Sequence, residues 1–381
     1  TPFSHNRERN LMDSVQLTRE SVSFNSTSYL SNVDCSNAMA ESMRKAGLAV
    51  ERIPYTDPSG VPKLNLVGKK GNGTGGLALM GHNDVVPAEG WAWDPFEVVE
   101  KGSRIYGRGV ADMKGSVACM IATASRFSIN ELKHPIYVVV TGDEEINCGG
   151  ADVVAQKSEV LKESDVRYGI IGEPTLLDVV HAHKGSVKIS VTATGKATHS
   201  STGTGINANH KLIPFLNDML AIDRELQTDE KYLNHAFTPP HATLNTVIHG
   251  GEQASNITTP ESGATLNMRP MPGQDFAPLL DRIRTLAEER EVHVDIYDGL
   301  APLHTPVESR IVQEALSVTN KNEPKTVAYG TDGMIFGKTM ELVVLGPGNI
   351  QQAHTIDEWI EIEQLHQAVD TFSEMVRRFC S

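Results

Sequence analysis

The sequence predicts an α/β fold in which a mostly parallel sheet is flanked by helices and a ferredoxin-like α+β domain is inserted. Four short runs rich in Val, Ile and Leu are followed by a glycine, and helical segments alternate with them, as buried parallel strands require. Between about residues 184 and 298 this rhythm stops, which indicates a second domain. The four runs are Leu77–Met80, Tyr137–Val140, Tyr168–Ile171 and Leu342–Leu345.

Apolar residues at helical spacing predict helices from about Arg7 to Ser21 and from Ser36 to Leu48. A third helix follows Asp112, and a last one from about Glu361 to Phe379 ends the first domain. Aspartate is a frequent N-cap, so helix capping is the ordinary explanation for Asp112.

A glycine-rich turn joins predicted strands at Leu64–Val67 and Leu77–Met80. Gly71, Gly73 and Gly76 match the spacing of a dinucleotide-binding loop, but that motif needs a helix after it. Because a strand follows here, we expect a β-hairpin turn.

The inserted domain is predicted at residues 185–298, within a first domain of residues 1–184 and 299–381. Its strands and helices follow the order β-α-β-β-α-β, which is the ferredoxin-like arrangement. They are predicted at Val187–Thr192, Asn207–Leu226, Thr243–Ile248, Ala264–Arg269, about residues 276–286, and Val292–Tyr297.

Composition restricts the class of protein. With 34 basic and 48 acidic residues, the 381-residue chain has a net charge of -14, which argues against nucleic acid as a partner. No apolar stretch approaches the roughly 20 residues of a membrane helix, and residues 1–20 lack a secretion signal. Four cysteines without a Cys-x-x-Cys pair suggest thiols in a reducing cytoplasm, with disulfides as the alternative. They are Cys35, Cys119, Cys148 and Cys380.

Metal-ligand residue types follow the ends of all four apolar runs. In open α/β sheets the binding crevice lies at the carboxyl ends of the strands, so we expect these side chains to converge. Imidazole and carboxylate ligands without cysteine suit zinc, cobalt or manganese. The candidates are His82, Asp84, Asp112, Glu144, Glu145, Glu173 and His354.

Taken singly, each candidate has an ordinary explanation, such as a solvated acidic turn for Asp143-Glu144-Glu145. In an extended chain Glu144 and Glu145 would point to opposite sides, so we expect one to bind metal and the other to handle protons. Two metal ions bridged by a carboxylate form a recurring hydrolase design, which makes a hydrolase the leading hypothesis.

Four motifs strengthen that hypothesis. The motifs are Gly81–Pro87, Gly107–Gly115, Gly142–Glu145 and Gly172–Thr175. They resemble the motifs of the dinuclear-zinc amidohydrolase and metallopeptidase family, and the resemblance covers essentially the whole chain. It implies a catalytic domain that binds two Zn²⁺ ions, with Co²⁺ or Mn²⁺ as substitutes, and an inserted domain that serves as lid and dimerisation domain.

The resemblance also implies a role for each candidate, and a cis peptide after Asp112. One metal would be bound by His82 and Glu173, the other by Glu145 and His354, with Asp112 bridging both, Asp84 orienting His82, and Glu144 acting as general acid and base.

Substrate contacts are implied at five further residues. His199 resembles the histidine that polarises the scissile carbonyl from the partner subunit of a dimer, and Asn245 and Arg269 resemble residues that bind the substrate α-carboxylate. Arginine suits that task because its planar fork binds carboxylate in a bidentate manner. Thr331 and Asp332 lie in a segment that is near the amino-acid part of the substrate in this family. Without the family, His199, Asn245 and Arg269 would be taken as strand-end, turn and surface residues.

The implied reaction is hydrolysis of the N-acyl amide of a small-molecule N-acyl amino acid, preferably N2-acetyl-L-ornithine, by a cytoplasmic homodimer. Where acetylornithine-specific members tend to carry Cys-Thr-Glu-Ala, this chain has Gly330-Thr331-Asp332-Gly333, which leans towards the desuccinylases. Desuccinylation of N-succinyl-diaminopimelate and dipeptide hydrolysis are therefore alternatives. Outside the enzymes, the alternative is a non-catalytic, metal-dependent protein that binds amino-acid derivatives.

Overall fold

The computed structural model describes residues 11–250 and 254–381, and these contain eleven α-helices and sixteen β-strands. The helices are α1 (Ser14–Val22), α2 (Val33–Lys45), α3 (Lys114–Ser125), α4 (Glu144–Asn147), α5 (Gly149–Lys157), α6 (Glu159–Lys162), α7 (Asn209–Thr228), α8 (Ala277–Glu289), α9 (Arg310–Thr319), α10 (Gly333–Phe336) and α11 (Ile362–Cys380). The strands are β1 (Ala49–Thr56), β2 (Pro62–Lys70), β3 (Leu77–His82), β4 (Val99–Lys101), β5 (Arg104–Tyr106), β6 (Ile136–Thr141), β7 (Tyr168–Ile171), β8 (Val180–His183), β9 (Ser186–Thr194), β10 (Thr243–His249), β11 (Glu261–Arg269), β12 (Val292–Leu300), β13 (Leu303–His304), β14 (Lys325–Val327), β15 (Glu341–Val344) and β16 (Trp359–Glu361).

The chain divides into two compact units, each with its own apolar core. The first unit contains the chain up to His181, then His304–Lys325 and Thr331–Ser381. The second unit contains Ala182–Leu303 and Thr326–Gly330.

The large sheet has the strand order β1-β2-β6-β3-β7-β15-β8-β13, with β14 beside β8. Its four central strands, β6, β3, β7 and β15, are parallel neighbours. They are the four apolar runs of the sequence, and β3 and β6 are buried along their whole length. The predicted α/β fold with a central parallel sheet is thus confirmed.

The predicted hairpin between β2 and β3 is wrong. Strand β6 lies between them, antiparallel to β2 and parallel to β3. The glycine-rich segment after β2 instead passes the start of β6, where an added Cβ at Gly76 would lie 2.0 Å from the Pro135 carbonyl oxygen. The glycine there therefore permits a close backbone approach, and the antiparallel partner of β2 on its other side is β1.

The first helices are shifted from their predicted positions. Helix α1 begins at Ser14, where Asp13 caps it by accepting the Val15 N–H, and Arg7–Asn10 lie outside the described residues. Helix α2 spans Val33–Lys45. Asp112 is not the N-cap of α3, because Met113 occupies that position. From Lys114 to Ala124 every residue of α3 is buried, so the helix is enclosed on all sides and has no solvent-facing polar side.

In the second unit the elements follow the order β9-α7-β10-β11-α8-β12, and the antiparallel sheet has the order β10-β11-β9-β12. This is a ferredoxin-like arrangement. Its core contains Phe215 of α7 and Ile283 of α8 together with alternate residues of β9 and β11, so the two helices share one face of the sheet.

None of the described helices is long and apolar enough to cross a membrane. The four cysteines are free and buried, which agrees with the expectation of unpaired thiols.

Gly346 lies against the end of β7, and the contact is testable by substitution. An added Cβ would lie 2.2 Å from the Gly172 carbonyl oxygen and 2.5 Å from that of Glu173, so a backbone must move to accept it. We expect Gly346→Ala to lower the free energy of unfolding by about 1–3 kcal/mol, measured by urea denaturation. Gly250 has no atom within 4 Å of its added Cβ, so Gly250→Ala should change that energy by less than about 0.5 kcal/mol. Equal losses in the two variants would contradict the steric argument.

Candidate metal centre

The parallel strands carry the predicted ligands to one edge of the sheet. His82 is the last residue of β3, Glu173 comes two residues after β7, and Glu145 lies in α4 just after β6. His354 lies in the loop after β15, and Asp112 precedes α3. Because the carboxyl ends of parallel strands meet at one edge, five distant segments converge there.

The carboxylate of Asp112 lies between two groups of ligand-type side chains. On one side, His82 Nε2 is 3.3 Å from Asp112 Oδ1 and 3.5 Å from Glu173 Oε1. On the other, His354 Nε2 is 3.4 Å from Asp112 Oδ2 and 3.1 Å from Glu145 Oε2. Each oxygen of Asp112 thus faces a different histidine, an arrangement that could hold two metal ions.

Two buried atoms in the middle of this cluster lack a hydrogen-bond partner. They are His82 Nε2 and Asp112 Oδ1. The ring's other nitrogen, Nδ1, lies 2.9 Å from the backbone carbonyl oxygen of Asp84. Since a carbonyl only accepts, Nδ1 carries the proton, and in the neutral ring Nε2 turns its lone pair towards Asp112 and Glu173. Imidazole nitrogen and carboxylate oxygens aimed at one point fit a divalent cation.

Burial and neighbouring charges shift the pKa values of the side chains in this cluster. Burial and the nearby Asp112 raise the pKa of Glu145 to about 7 and the pKa of Glu173 to about 8. Asp112 and Glu145 raise the pKa of His354 to about 10. Burial would raise the pKa of Asp112 as well, but the two histidines outweigh it and lower that pKa. A divalent cation would relieve the repulsion among these carboxylates.

The expectation that Glu144 and Glu145 lie in an extended chain is wrong. They begin the short helix α4, after Asp143 turns the backbone in a left-handed conformation with φ of 59°. Both carboxylates consequently approach the cluster, and Glu144 Oε2 lies 3.9 Å from His82 Nε2. Burial, first of all, raises the pKa of Glu144 well above its ordinary value.

Asp84 holds two of these segments together. Its carboxylate accepts the backbone N–H groups of Glu144 and Glu145 at 3.2 and 3.3 Å, and the Ser28 hydroxyl at 2.8 Å. Its Oδ1 lies 3.5 Å from His82 Nδ1, farther than its own backbone carbonyl. Burial would raise the pKa of Asp84, but these contacts, first of all that with His82, lower it.

Thr331 and Asp332 are buried at the start of α10. The Thr331 hydroxyl accepts the Gly333 N–H at 2.9 Å, and the Thr141 hydroxyl donates to Asp332 Oδ2 at 2.5 Å. Polar atoms of Asp332, Glu144 and Cys148 lie within 4.8 Å of one another, and burial raises the pKa of Asp332 to about 6. Asp332 is therefore a neighbour of Glu144.

The remaining predicted residues belong to the second unit. His199 is exposed and precedes a 3-10 turn, with its Nδ1 accepting the Ser201 N–H at 3.3 Å. Asn245 is exposed on β10, and Arg269 is half-buried at the end of β11. The cis peptide expected after Asp112 is confirmed between Asp112 and Met113.

The buried residues that support the cluster were not among the predicted site residues. Lys63, fully buried in β2, lies with its Nζ 2.6 Å from Asp143 Oδ1 and donates to the carbonyls of Ser28 and Leu30. The Tyr55 hydroxyl donates to the other oxygen of Asp143 at 2.8 Å. The available signal was a lysine beside the predicted strand Leu64–Val67, at a place where an unpaired charge would be costly. These contacts fix the turn that leads into Glu144.

The Lys63–Asp143 ion pair can be tested with a matched lysine on the same strand. We expect Lys63→Met to lower the free energy of unfolding by about 3–5 kcal/mol, because it leaves the Asp143 carboxylate buried without its cation. Adding Asp143→Asn should recover part of that loss in urea denaturation. The control Lys70→Met removes another buried lysine, which donates to the Ala46 and Ala124 carbonyls. Adding Asp143→Asn to this control should recover none of its loss. Strict additivity of Lys63→Met and Asp143→Asn would contradict the pairing.

Comparison with known proteins identifies the family. Residues 78–378 match the model of peptidase family M20/M25/M40. Curated acetylornithine deacetylases from Proteus mirabilis and Vibrio atlanticus are 32% and 33% identical to this chain, covering 92% and 90% of it and 91% and 90% of their own length.

Solved structures agree on the fold. An M20 metallo-carboxypeptidase from Sulfolobus solfataricus has a TM-score of 0.75 at 18% identity, covering 96% of this chain and 99% of its own. A dinuclear metal-binding peptidase of the M20 family from Bacillus subtilis has a TM-score of 0.69 at 14% identity, covering 96% and 97%. With a family model that spans most of its length, the chain belongs to peptidase family M20/M25/M40.

Proposed function

We propose that this chain is a two-metal amidohydrolase that converts N2-acetyl-L-ornithine to L-ornithine and acetate, a reaction of arginine biosynthesis. The observation that carries the proposal is the Asp112 carboxylate, whose two oxygens face His82 and His354 on opposite sides. The similarity to curated acetylornithine deacetylases over most of the chain supports the substrate.

Two zinc ions are the metals that we propose, with cobalt or manganese as substitutes. His82 and Glu173 would hold one ion, Glu145 and His354 the other, and Asp112 would bridge them. When bound, such a pair supplies Lewis-acid catalysis and neutralises charge that develops in the reaction.

Glu144 is the proposed general base and acid. Its carboxylate lies at the border of the ligand cluster, 3.9 Å from His82 Nε2, and a positioned carboxylate of this kind can accept and donate a proton. It takes a proton from the attacking water as the water oxygen bonds to the amide carbon. It then delivers that proton to the nitrogen as the C–N bond breaks, which releases the amine.

The second unit would bind and polarise the substrate. Arg269 and Asn245 are proposed to hold the α-carboxylate, and His199 to donate to the carbonyl oxygen as charge builds there. Thr331 and Asp332 are proposed to lie near the amino-acid part of the substrate.

One sequence difference from the acetylornithine-specific members suggests other candidate substrates. Gly330-Thr331-Asp332-Gly333 differs from the Cys-Thr-Glu-Ala that acetylornithine-specific members tend to carry, and it leans towards the desuccinylases. N-succinyl-diaminopimelate and simple dipeptides are therefore the competing substrates.

The substrate proposal predicts an order of turnover. With zinc present, kcat/KM should be highest for N2-acetyl-L-ornithine and lower by about tenfold or more for N-succinyl-diaminopimelate and for a dipeptide. The measurement is release of free amine from each substrate. A higher value on the succinylated substrate would assign the chain to the desuccinylases, and dipeptide preference would assign it to the dipeptidases.

The same assay separates a hydrolase from a metal-dependent binding protein. Glu144→Gln should lower kcat by about 10²–10⁴-fold while the protein still binds two zinc ions. The control Glu163→Gln changes an exposed glutamate and should leave kcat unaltered. If the wild type binds substrate without hydrolysing any of the three compounds, the binding protein is the better explanation.

We also propose a cytoplasmic homodimer formed through the second unit. Strand β10 is at one end of its sheet, and Val247 and Ile248 on it are 48% and 65% exposed. On the neighbouring helix α7, Ile213 and Leu220 are also exposed. An open strand edge with apolar side chains is suited to pairing with a second copy of itself.

The dimer proposal predicts an effect of charge on this edge. Ile248→Lys would place like charges together across a two-fold interface, so we expect the dimer dissociation constant to rise about 100-fold or more, measured by light scattering across a dilution series. Tyr297→Lys is the matched control, because Tyr297 is 62% exposed on β12 at the opposite end of the sheet. A wild type that is monomeric at all concentrations would contradict the proposal.

A further inference from the structure

A fully buried glutamate lies four residues after His354. Glu358 has no exposed surface, whereas glutamate is almost never fully buried unless it is paired. It lies in the short segment between the His354 loop and β16, and it is not among the cluster's ligand-type residues.

The Glu358 carboxylate accepts four hydrogen bonds from one loop. Oε1 accepts the backbone N–H groups of Ala111 and Asp112 at 2.8 and 3.0 Å. Oε2 accepts the Gly109 N–H at 3.0 Å and an Arg108 guanidinium N–H at 2.8 Å. A carboxylate offers about four lone-pair sites, so these donors use its full capacity.

The loop is shaped to surround this carboxylate. Strand β16 pairs with β5, and the Gly107 N–H continues that pairing by donating to the Glu358 carbonyl at 3.0 Å. Gly109 has a φ of 90°, and an added Cβ would lie 2.8 Å from Val85 Cγ1. Only glycine suits this position, which lets the N–H groups at 109, 111 and 112 point to the same side chain.

These bonds join two segments that each carry a proposed metal ligand. One is the loop that ends at Asp112, and the other contains His354 and Glu358. The His354 Nε2 and Asp112 Oδ2 atoms are 3.4 Å apart, a spacing that depends on how the two backbones are placed. A shift of one segment would change the distance between two ligands of the same ion.

We propose that Glu358 is a positioning residue that fixes the Asp112 backbone relative to His354. It would thereby set the spacing between two ligands of the ion that Glu145 and His354 are proposed to hold. The inference rests on the proposed two-metal function. Residues that orient metal ligands without touching the metal affect metal affinity by about 10–100-fold, so the role is measurable apart from activity.

The test compares Glu358→Gln with Glu361→Gln. Glutamine keeps the size of the side chain but loses the charge and replaces one acceptor oxygen by an NH₂ group, which faces donors. Glu361, the last residue of β16, instead bonds to Ser103 and Arg104 near the surface, without contact to the Asp112 loop. Each protein is stripped of metal and titrated with zinc against a chromophoric chelator, and kcat and KM are then measured on N2-acetyl-L-ornithine at low and saturating zinc.

For Glu358→Gln we expect one of the two zinc equivalents to bind about 10–100-fold more weakly and the other to change less. At low zinc kcat should fall with the occupancy of that site while KM changes by less than about threefold, and saturating zinc should restore most of kcat. Glu361→Gln should match the wild type. Unchanged zinc affinity in Glu358→Gln, or equal weakening in both variants, would overturn the proposal.

A second variant covers the case in which Glu358→Gln does not fold. Arg108→Gln removes one of the four donors and leaves the three backbone bonds, so it should weaken the same equivalent by about threefold or more. No change in this variant would then overturn the positioning role. Failure of the wild type to bind two zinc equivalents would instead contradict the two-metal function itself.

Discussion

Repulsion among buried carboxylates is the constraint on which this structure depends. Asp112, Glu145 and Glu173 lie with two histidines at one sheet edge. The Glu144 carboxylate is beside His82, and Asp84 accepts the N–H groups of Glu144 and Glu145. Two like charges 4 Å apart repel by about 4 kcal/mol at an effective dielectric constant of 20. Burial, and after it repulsion from Asp112, raises the pKa values of Glu145 and Glu173. Such a cluster persists only where cations neutralise it and where the backbone holds the carboxylates in place.

The backbone is held from behind by a second set of buried polar groups. Asp84 accepts the N–H groups of Glu144 and Glu145, Lys63 pairs with Asp143, and Glu358 binds the loop that ends at Asp112. A buried ion pair adds little net stability compared with well-packed apolar residues. All three contacts lie within one residue of a predicted site residue. Their role is therefore better explained as positioning the proposed ligands than as stabilising the fold.

The sequence predicted well what depends on strand periodicity and residue type. The four apolar runs became adjacent parallel strands, and the ligand-type residues after them meet, because parallel pairing brings strand ends together whatever their order. The prediction of a hairpin was wrong because local turn chemistry cannot show that β6 will lie between β2 and β3. Glu358 could not be found either, since most of its donors are backbone N–H groups, which leave no complementary residue in the sequence.

The position of Asp332 affects how the difference between Gly330-Thr331-Asp332-Gly333 and the Cys-Thr-Glu-Ala of acetylornithine-specific members is interpreted. The chain leaves the second unit at Gly330, and two residues later Asp332 is buried, accepts the Thr141 hydroxyl, and lies beside Glu144 and Cys148. An aspartate in place of glutamate shortens this side chain by one methylene next to the proposed proton carrier. The difference therefore bears on the surroundings of Glu144 before it bears on the amino-acid part of a substrate. A change in this motif is thus weaker grounds for a change of substrate than the sequence alone suggests.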